Sequence, residues 1–275
     1  MESIIQYFTE IPSSHRSVIL FGGLTLFLLI ENFAPFFGWS YKKGRHVLLN
    51  LFFTGTTILV NLGMAFLLLQ LSDWVTASSF GIIYLFSAPI WVKGIVAVLL
   101  LDLIGAWLIH FLEHRVKPLW MFHIVHHTDQ HVDVSTANRH HPGESVLRFI
   151  FTCIAVLVSG ASLWMIMVYQ SLSVILSQFN HSNINLPVWL DNILKIVFVT
   201  PHMHRVHHHY KQPLSDQNLG NIFSFWDRIF GTYVVYDNKD LKYGLDTYMD
   251  EKEHQNIPTL LQIPFKPYRS PKDLP

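Results

Sequence analysis

An all-α, polytopic membrane protein, with transmembrane helices capped by a cytoplasmic, helical, histidine-rich domain, is the fold this sequence predicts. Three observations predict it. The chain is 51% hydrophobic and only 14% charged, with a mean hydropathy of +0.32, whereas soluble domains carry about 25% charged residues. Its apolar residues fall into long runs, several near the roughly 20 residues a helix needs to cross a bilayer. Its histidines, 17 in all, gather at the three- and four-residue spacing that shares one helix face.

The N-terminal region, 1–89, holds two spans and a loop. Met1 to Arg16 is polar and mixed and the first apolar run has no A-x-A-like site, so no cleavable signal is expected. The first span is Val18 to Phe37, interrupted by Glu31 and Asn32. An ionisable group at membrane depth is a functional candidate, but Glu31 lies near the run's end and is expected to snorkel to the interface as readily. A basic turn, Tyr41 to His46, leads into the uncharged second span, Val47 to Leu71, where Asn50 and Asn61 are placed to hydrogen-bond across helices. The loop 72–89 has no Lys or Arg. The positive-inside rule therefore puts the Lys42–Arg45 turn in the cytoplasm and this loop on the other side. The third span, Ile90 to Phe111, returns to the cytoplasm and runs into the first histidine cluster.

His110 to His127 holds five histidines in eighteen residues, and a second cluster follows at His204, His207 and His208. His110 and His114 are four apart, and the triplets His123, His126, His127 and His204, His207, His208 follow the i, i+3, i+4 pattern. Each cluster is expected to aim two or three imidazoles at one point. Eight imidazoles are too many for one tetrahedral zinc and suit two metal ions, each keeping open positions. Neutral imidazole serves iron, zinc, copper and nickel alike. The segment HFLEH alone also matches the H-x-x-E-H of inverted zinc proteases, but that reading leaves the other six histidines unexplained. Asp102, two turns before His110, is expected to hydrogen-bond an imidazole and fix its tautomer, or else to serve a helix–helix contact.

The histidine-rich region, 90–235, also contains an apolar block, Val146 to Phe179, broken at Ser159–Ser162. Each half has roughly sixteen residues, about 24 Å of helix, short of a crossing, so a membrane hairpin over 146–179 is expected. Pro187 to Thr200 reads as an interfacial helix, with Trp189, Ile193 and Val197 toward lipid and Asp191 and Lys195 toward water, or as an amphipathic helix packed on the domain. Asp227 to Tyr233 reads as a turn between a helix and an extended segment. In the polar tail, 236–275, Leu260, Leu261, Ile263 and Phe265 are available as anchors to the body or the membrane. Lys+Arg and Asp+Glu both total 19, so no basic excess points to nucleic acid. The single cysteine, Cys153, allows neither an internal disulfide nor a thiolate-held iron–sulfur cluster. Neither G-x-G-x-x-G nor a P-loop is present, so any electrons needed come from another protein.

The motifs around the histidines go further. Asp102, His110 and His114 form D-x(7)-H-x(3)-H, and Leu119, Trp120 and His123 form L-W-x-x-H. Arg139, His141, Pro142 and Glu144 form R-x-H-P-x-E, and His181, Ser182, Asn183, Leu186 and Pro187 form H-S-N…L-P. Thr200 to His208 reads T-P-x-x-H-R-V-H-H, and Asn218, Gly220 and Trp226 to Tyr233 give N-x-G…W-D-R-x-F-G-T-Y. Over residues 90–235 this set resembles the integral-membrane fatty acid hydroxylase and sterol desaturase superfamily of histidine-box proteins. Two positions depart from the family's pattern. Phe111 stands where an Arg is usual, and Leu219 where a Tyr is usual. Neither removes a ligand, but both weaken any transfer of substrate identity.

The resemblance implies a di-iron centre, with zinc able to replace iron in a preparation, that uses O2 to hydroxylate or desaturate an unactivated C–H bond of a membrane lipid of sterol or fatty acyl type. Its ligands would be His110, His114, His123, His126, His127, His204, His207 and His208, with His181 as a ninth. Asp102, Arg139 and His141 would support them, and no catalytic residue would stand apart from the ligands. Nitrogen ligands survive oxidant where thiolates do not. Electrons would come from a b-type cytochrome or a ferredoxin with its reductase. The protein would be a multi-pass one of a bacterial inner or endoplasmic-reticulum-like membrane, its histidines on the cytoplasmic side. Two alternatives stay open: an alkylglycerol-type ether lipid monooxygenase, and a membrane metal-binding protein without oxygen chemistry. His131, His140, His202 and His209 are expected to face solvent or a pocket rim, and Trp120 and Phe122 to serve packing. His15, His46 and His254 carry no signal.

Overall fold

The computed structural model describes residues 1–237 and 241–272, and among them there is no strand, only three isolated bridges. Four helical stretches are long and apolar enough to cross a membrane: Ser13–Phe33, Lys43–Tyr84, Ile90–Arg115 and Pro142–Ser159. The first stops at Phe33 because Ala34 precedes Pro35 and is pushed out of the helical region. The second contains an unbroken helix of 35 residues, Lys43–Ala77, and leaves Leu59, Leu62 and Phe66 exposed, a face suited to lipid. The third carries a stretch of π-helix at Leu103–Leu108. This wider turn re-phases the helix between Asp102 and His110, both buried.

The apolar block forms two helices broken at 160–162, where the sequence breaks, but both are longer than sixteen residues. Its first helix begins earlier, at Pro142, because proline suits the first helical turn and His141 Nδ1 caps it, accepting from Gly143 N at 3.0 Å. With 18 residues it reaches the length of a candidate span. It ends at Gly160, which takes the left-handed conformation at φ 78°. A Cβ on Gly81 would lie 2.3 Å from Gly160 N, so the turn after the second span closes directly on this one. The second helix, Leu163–His181, has 19 residues. It lies against the third span, the Glu2–Thr9 helix and the Pro201–His207 helix, whereas Pro142–Ser159 lies against the second and third spans. Leu101, Val156, Met165, Ile166 and Ile222 form the core between them.

Two groups near the N-terminus depart from expectation. Glu31 does not snorkel. It is 2% exposed, and its Oε1 accepts from Val134 N and Asn183 N, both at 2.8 Å. It pins the first span to the loops that carry the histidine domain. His46, expected to carry no signal, is buried between two carboxylates. Its Nε2 is 2.9 Å from each Asp129 oxygen, and its Nδ1 lies 3.2 Å from Asp133 Oδ2. Tyr41 OH donates to the same Asp133 oxygen at 2.8 Å. An imidazole so placed ties the second span to the 129–136 loop.

The tail closes over the other face of the Lys117–His127 helix. Leu260 and Ile263 are buried against Trp120, Met121, Ile124 and Val125, while Phe265 stays exposed. Arg139 donates to Val125 O and Thr128 Oγ1, both at 3.0 Å, and to the carbonyl of His254. His141 Nε2 meets Leu261 O at 3.2 Å. Both residues fasten the tail and the helix end, and His254 is buried with them. In the 187–200 region the helix is Val188–Leu194. Val188, Trp189, Ile193, Ile196 and Val197 form an exposed apolar face, but Asp191 is buried and does not face water. It turns inward to His202 Nδ1 at 3.3 Å, with Lys195 Nζ at 3.4 Å.

Candidate metal centre

Four helical segments bring the histidines together. The end of the third span supplies His110 and His114. An extended residue, Val116, then breaks the chain, and Pro118 starts Lys117–His127. Thr200 caps Pro201–His207, accepting from Met203 N at 3.4 Å. His181 closes the Leu163–His181 helix.

The nine histidines form two groups. His110, His114, His123, His127 and His207 make one, and His126, His181, His204 and His208 make the other; within each, the ligand atoms all lie within 4.8 Å of one another. Each cluster thus aims two of its imidazoles at one point, and the third member of each triplet joins the other group. Adjacent residues on a helix point about 100° apart, so neither His126 and His127 nor His207 and His208 can share a target. Each triplet divides: His123 and His127 go one way and His126 the other, while His204 and His208 go one way and His207 the other. The groups adjoin, with ring centroids 5.1 Å apart for His127 and His208 and 5.0 Å for His204 and His207.

The donor set fits metal ions. His123 Nε2 lies 3.1 Å from His110 Nε2 and 3.2 Å from His127 Nε2. His181 Nε2 lies 3.2 Å from His126 Nε2 and 3.0 Å from His204 Nε2. A metal–nitrogen bond of about 2.1 Å sets neighbouring donors about 3.0 Å apart in an octahedron and about 3.4 Å apart in a tetrahedron. His114 Nε2, His207 Nε2 and both nitrogens of His208 are buried with no hydrogen-bond partner, a costly state unless a ligand takes the lone pairs.

Outward-facing nitrogens fix several rings. His110 Nδ1 donates to Leu219 O at 2.7 Å, His207 Nδ1 to Gln217 O at 3.0 Å and His181 Nδ1 to Ser177 O at 2.8 Å. His114 Nδ1 meets Asp216 Oδ1 at 3.1 Å, and His123 Nδ1 meets Glu144 Oε1 at 2.8 Å. Each bond leaves Nε2 bare toward its group. Glu144 also meets His140 Nδ1 at 2.8 Å and Arg148 Nε at 2.9 Å, and Arg148 Nη2 reaches Glu113 at 2.6 Å. Glu113, the glutamate of the H-x-x-E-H reading, is thus engaged by a guanidinium. His140 is half-buried against Glu144 and His131 half-buried against the Tyr41 ring, rather than solvent-facing.

Asp102 does not meet an imidazole. It accepts from Ile222 N and Phe223 N, both at 3.3 Å, and from Trp226 Nε1 at 3.0 Å. Asp227 holds the same loop through Leu219 N at 2.8 Å and Gly220 N at 2.9 Å. The two carboxylates act one step removed, by positioning the loop whose Leu219 carbonyl orients His110. Asp216, Gln217 and Asp227 were not singled out from the sequence as supporting groups. Asp216 ends a three-residue 3-10 turn, Leu214–Asp216, too short for periodicity to mark it. His140, Glu144 and Arg148 had a signal, the four-residue spacing of one helix face.

Burial, reinforced by neighbouring imidazoles, holds His123, His126, His127, His204, His207 and His208 well below the usual histidine pKa. They are neutral at pH 7, as metal ligands must be. In acid the unfolded chain takes up protons that these folded imidazoles refuse. Stability and metal affinity are therefore both expected to fall as pH drops below about 6.5. Metal retention measured by dialysis between pH 8 and pH 5 checks this; a flat profile would contradict it.

Residues 95–232 match the sequence model described as fatty acid hydroxylase. Alkylglycerol monooxygenase from Homo sapiens is 27% identical over 51% of this chain and 30% of its own length. That from Caenorhabditis elegans is 30% identical over 50% of this chain and 26% of its own. An ornithine lipid hydroxylase from Rhizobium tropici is 26% identical over 47% of this chain and 38% of its own. The chain thus spans well under half the length of these curated relatives. No solved structure gives a significant match. With the family match covering half the chain, motif by motif over the segments that build the two histidine groups, the protein belongs to the fatty acid hydroxylase family.

Proposed function

We propose that this protein is an O2-dependent di-iron monooxygenase that hydroxylates an unactivated C–H bond of a membrane lipid. The observation that carries this reading is the pair of adjoining buried groups, five imidazoles and four, set at the end of a membrane span. His110, His114, His123, His127 and His207 would hold one iron, and His126, His181, His204 and His208 the other. The chemistry that two bound iron ions supply there is reductive activation of O2 against a C–H bond. The chain's own residues do the rest. Leu219, Gln217, Ser177, Asp216 and Glu144 orient five rings. The tail, packed over the Lys117–His127 helix, keeps bulk water from a reactive oxidant. The basic Lys42–Arg45 turn supports a cytoplasmic face for the histidine domain.

The relatives' names favour oxygen insertion over desaturation. Three organisms' alkylglycerol monooxygenases carry the ether-lipid reading as a second possibility, hydroxylation next to the ether oxygen. It would use the same ligands and differ in the pocket. A metal-binding protein without oxygen chemistry would change no lipid. The test is metal analysis of the purified protein with lipid mass spectrometry of cells expressing wild type or His126→Ala. The expected result is iron in the protein and a lipid gaining one oxygen with wild type only. Loss of two hydrogens instead would make it a desaturase, and an unchanged lipidome with a metal-loaded protein would favour the binding protein.

A further inference from the structure

We infer that the surface depression over Trp120 is the docking site of an acidic one-electron carrier protein, and that the Trp120 indole is the contact through which electrons reach the five-histidine group. The inference rests on the oxygenase reading. Hydroxylation joins one lipid C–H, one O2, two electrons and two protons to give the alcohol and one water. The chain has neither a G-x-G-x-x-G nor a P-loop motif, and on this proposal the two electrons arrive singly from an external carrier, through protein.

Both histidine groups are buried, so the last stretch must be crossed by tunnelling, which weakens steeply with distance. Trp120 bridges that stretch. Its ring centroid is 5.0 Å from His114, 5.3 Å from His127 and 6.1 Å from His123. The same side chain lines a surface depression with Tyr210, Gln212, Asp246, Thr247 and Arg269.

The rim is cationic. Lys117 lies one turn before Trp120 and holds its Nζ 4.3 Å from the Tyr268 ring. Lys242 and Lys211 sit 5.0 and 5.7 Å from the Tyr210 ring. Lys272 N donates to Asp246 Oδ2, placing that lysine at the same edge. Two nearby carboxylates are engaged, Glu253 by Arg269 at 2.6 Å and Asp216 by His114 at 3.1 Å, while Asp246 is buried and accepts from the Lys272 backbone through Oδ2 alone. Among the described residues no carboxylate pairs with Lys117, Lys242 or Lys272, and all three are exposed. A cationic rim around an aromatic contact complements an acidic carrier face and raises its encounter rate.

The test uses the full iron-loaded chain in detergent, with an acidic [2Fe–2S] ferredoxin and the soluble haem domain of a b-type cytochrome as probes. Affinity is read by surface plasmon resonance at two salt concentrations, and electron transfer by anaerobic stopped-flow bleaching of the reduced probe. The triple variant Lys117→Glu, Lys242→Glu, Lys272→Glu is expected to weaken binding about 10-fold or more. It should also flatten the salt dependence, with iron content and dithionite-driven lipid oxidation unchanged. Trp120→Phe should leave binding intact while slowing carrier bleaching, and not dithionite reduction; Trp120→Leu should slow it further. If neither probe binds, or binding ignores salt and the triple variant, the docking site is wrong. If Trp120→Leu keeps its iron and accepts carrier electrons at the wild-type rate, the electron route is wrong. Failure of wild type to oxidise lipid even with dithionite and O2 sinks the oxygenase reading instead, and the affinity measurements separate the two.

Discussion

His207→Ala is expected to empty the same metal site as His127→Ala, and His126→Ala the same site as His204→Ala. Each single variant should drop bound iron from about two ions per chain to about one, and should abolish lipid oxidation. Losing even an outer partner of a ligand costs about 10- to 100-fold in metal affinity, and a ligand itself costs more. Groups sharing a network are non-additive. The double variant His127→Ala/His207→Ala should therefore bind as much iron as either single, whereas His127→Ala/His204→Ala should bind almost none. Plasma emission analysis of purified variants reads this directly. If the triplets 123–127 and 204–208 each behave as a unit, the crossed division of the two clusters is wrong. The prediction is sharp because sequence neighbours, His126 and His127, must act in different sites, while His127 and His207, eighty residues apart, act in one.

That partition marks what a sequence can and cannot carry. Spacing identifies the imidazoles, because three and four residues measure a helix turn whatever the helix packs against. Which pair of imidazoles meets which depends on how two helices are rotated about their own axes, and tertiary packing sets that. Asp102 is missed for a related reason. Counting from it to His110 assumes α-helical phase, and the π-helix at Leu103–Leu108 changes the phase between them. Asp102 instead faces the 222–226 loop, across more than a hundred residues of sequence. His46 and Glu31 have partners equally remote, at Asp129, Asp133, Val134 and Asn183. A lone polar residue in an apolar run is visible; its partner is not. The spans were legible because hydropathy is a local property. Pro142 and Gly160 explain why the first half of the apolar block reaches the length of a span: each fixes an end of that helix by its own backbone chemistry.

Arg148→Met is expected to cost about 3–5 kcal/mol of stability, the usual result of deleting one member of a buried charge cluster. Arg148 is the cation facing two fully buried carboxylates, Glu113 at 2.6 Å and Glu144 at 2.9 Å. Without it, both are left beside a hydrophobic span, and Glu113 has no other partner that donates to it within hydrogen-bond distance among the described residues. Glu144 keeps His123 and His140. The damage should therefore centre on Glu113, and Glu113→Gln placed in the Arg148→Met background should recover a good part of the loss. Glu113→Gln alone leaves Arg148 paired with Glu144 and should be milder. Denaturant unfolding in detergent measures the stability, and chelator-driven iron release measures the ligand shell. Because Glu144 orients His123, Arg148→Met should also release iron faster from the five-histidine group than from the four-histidine group. If the double variant is as unstable as Arg148→Met, the penalty does not come from an unpaired Glu113, and the guanidinium matters for packing alone.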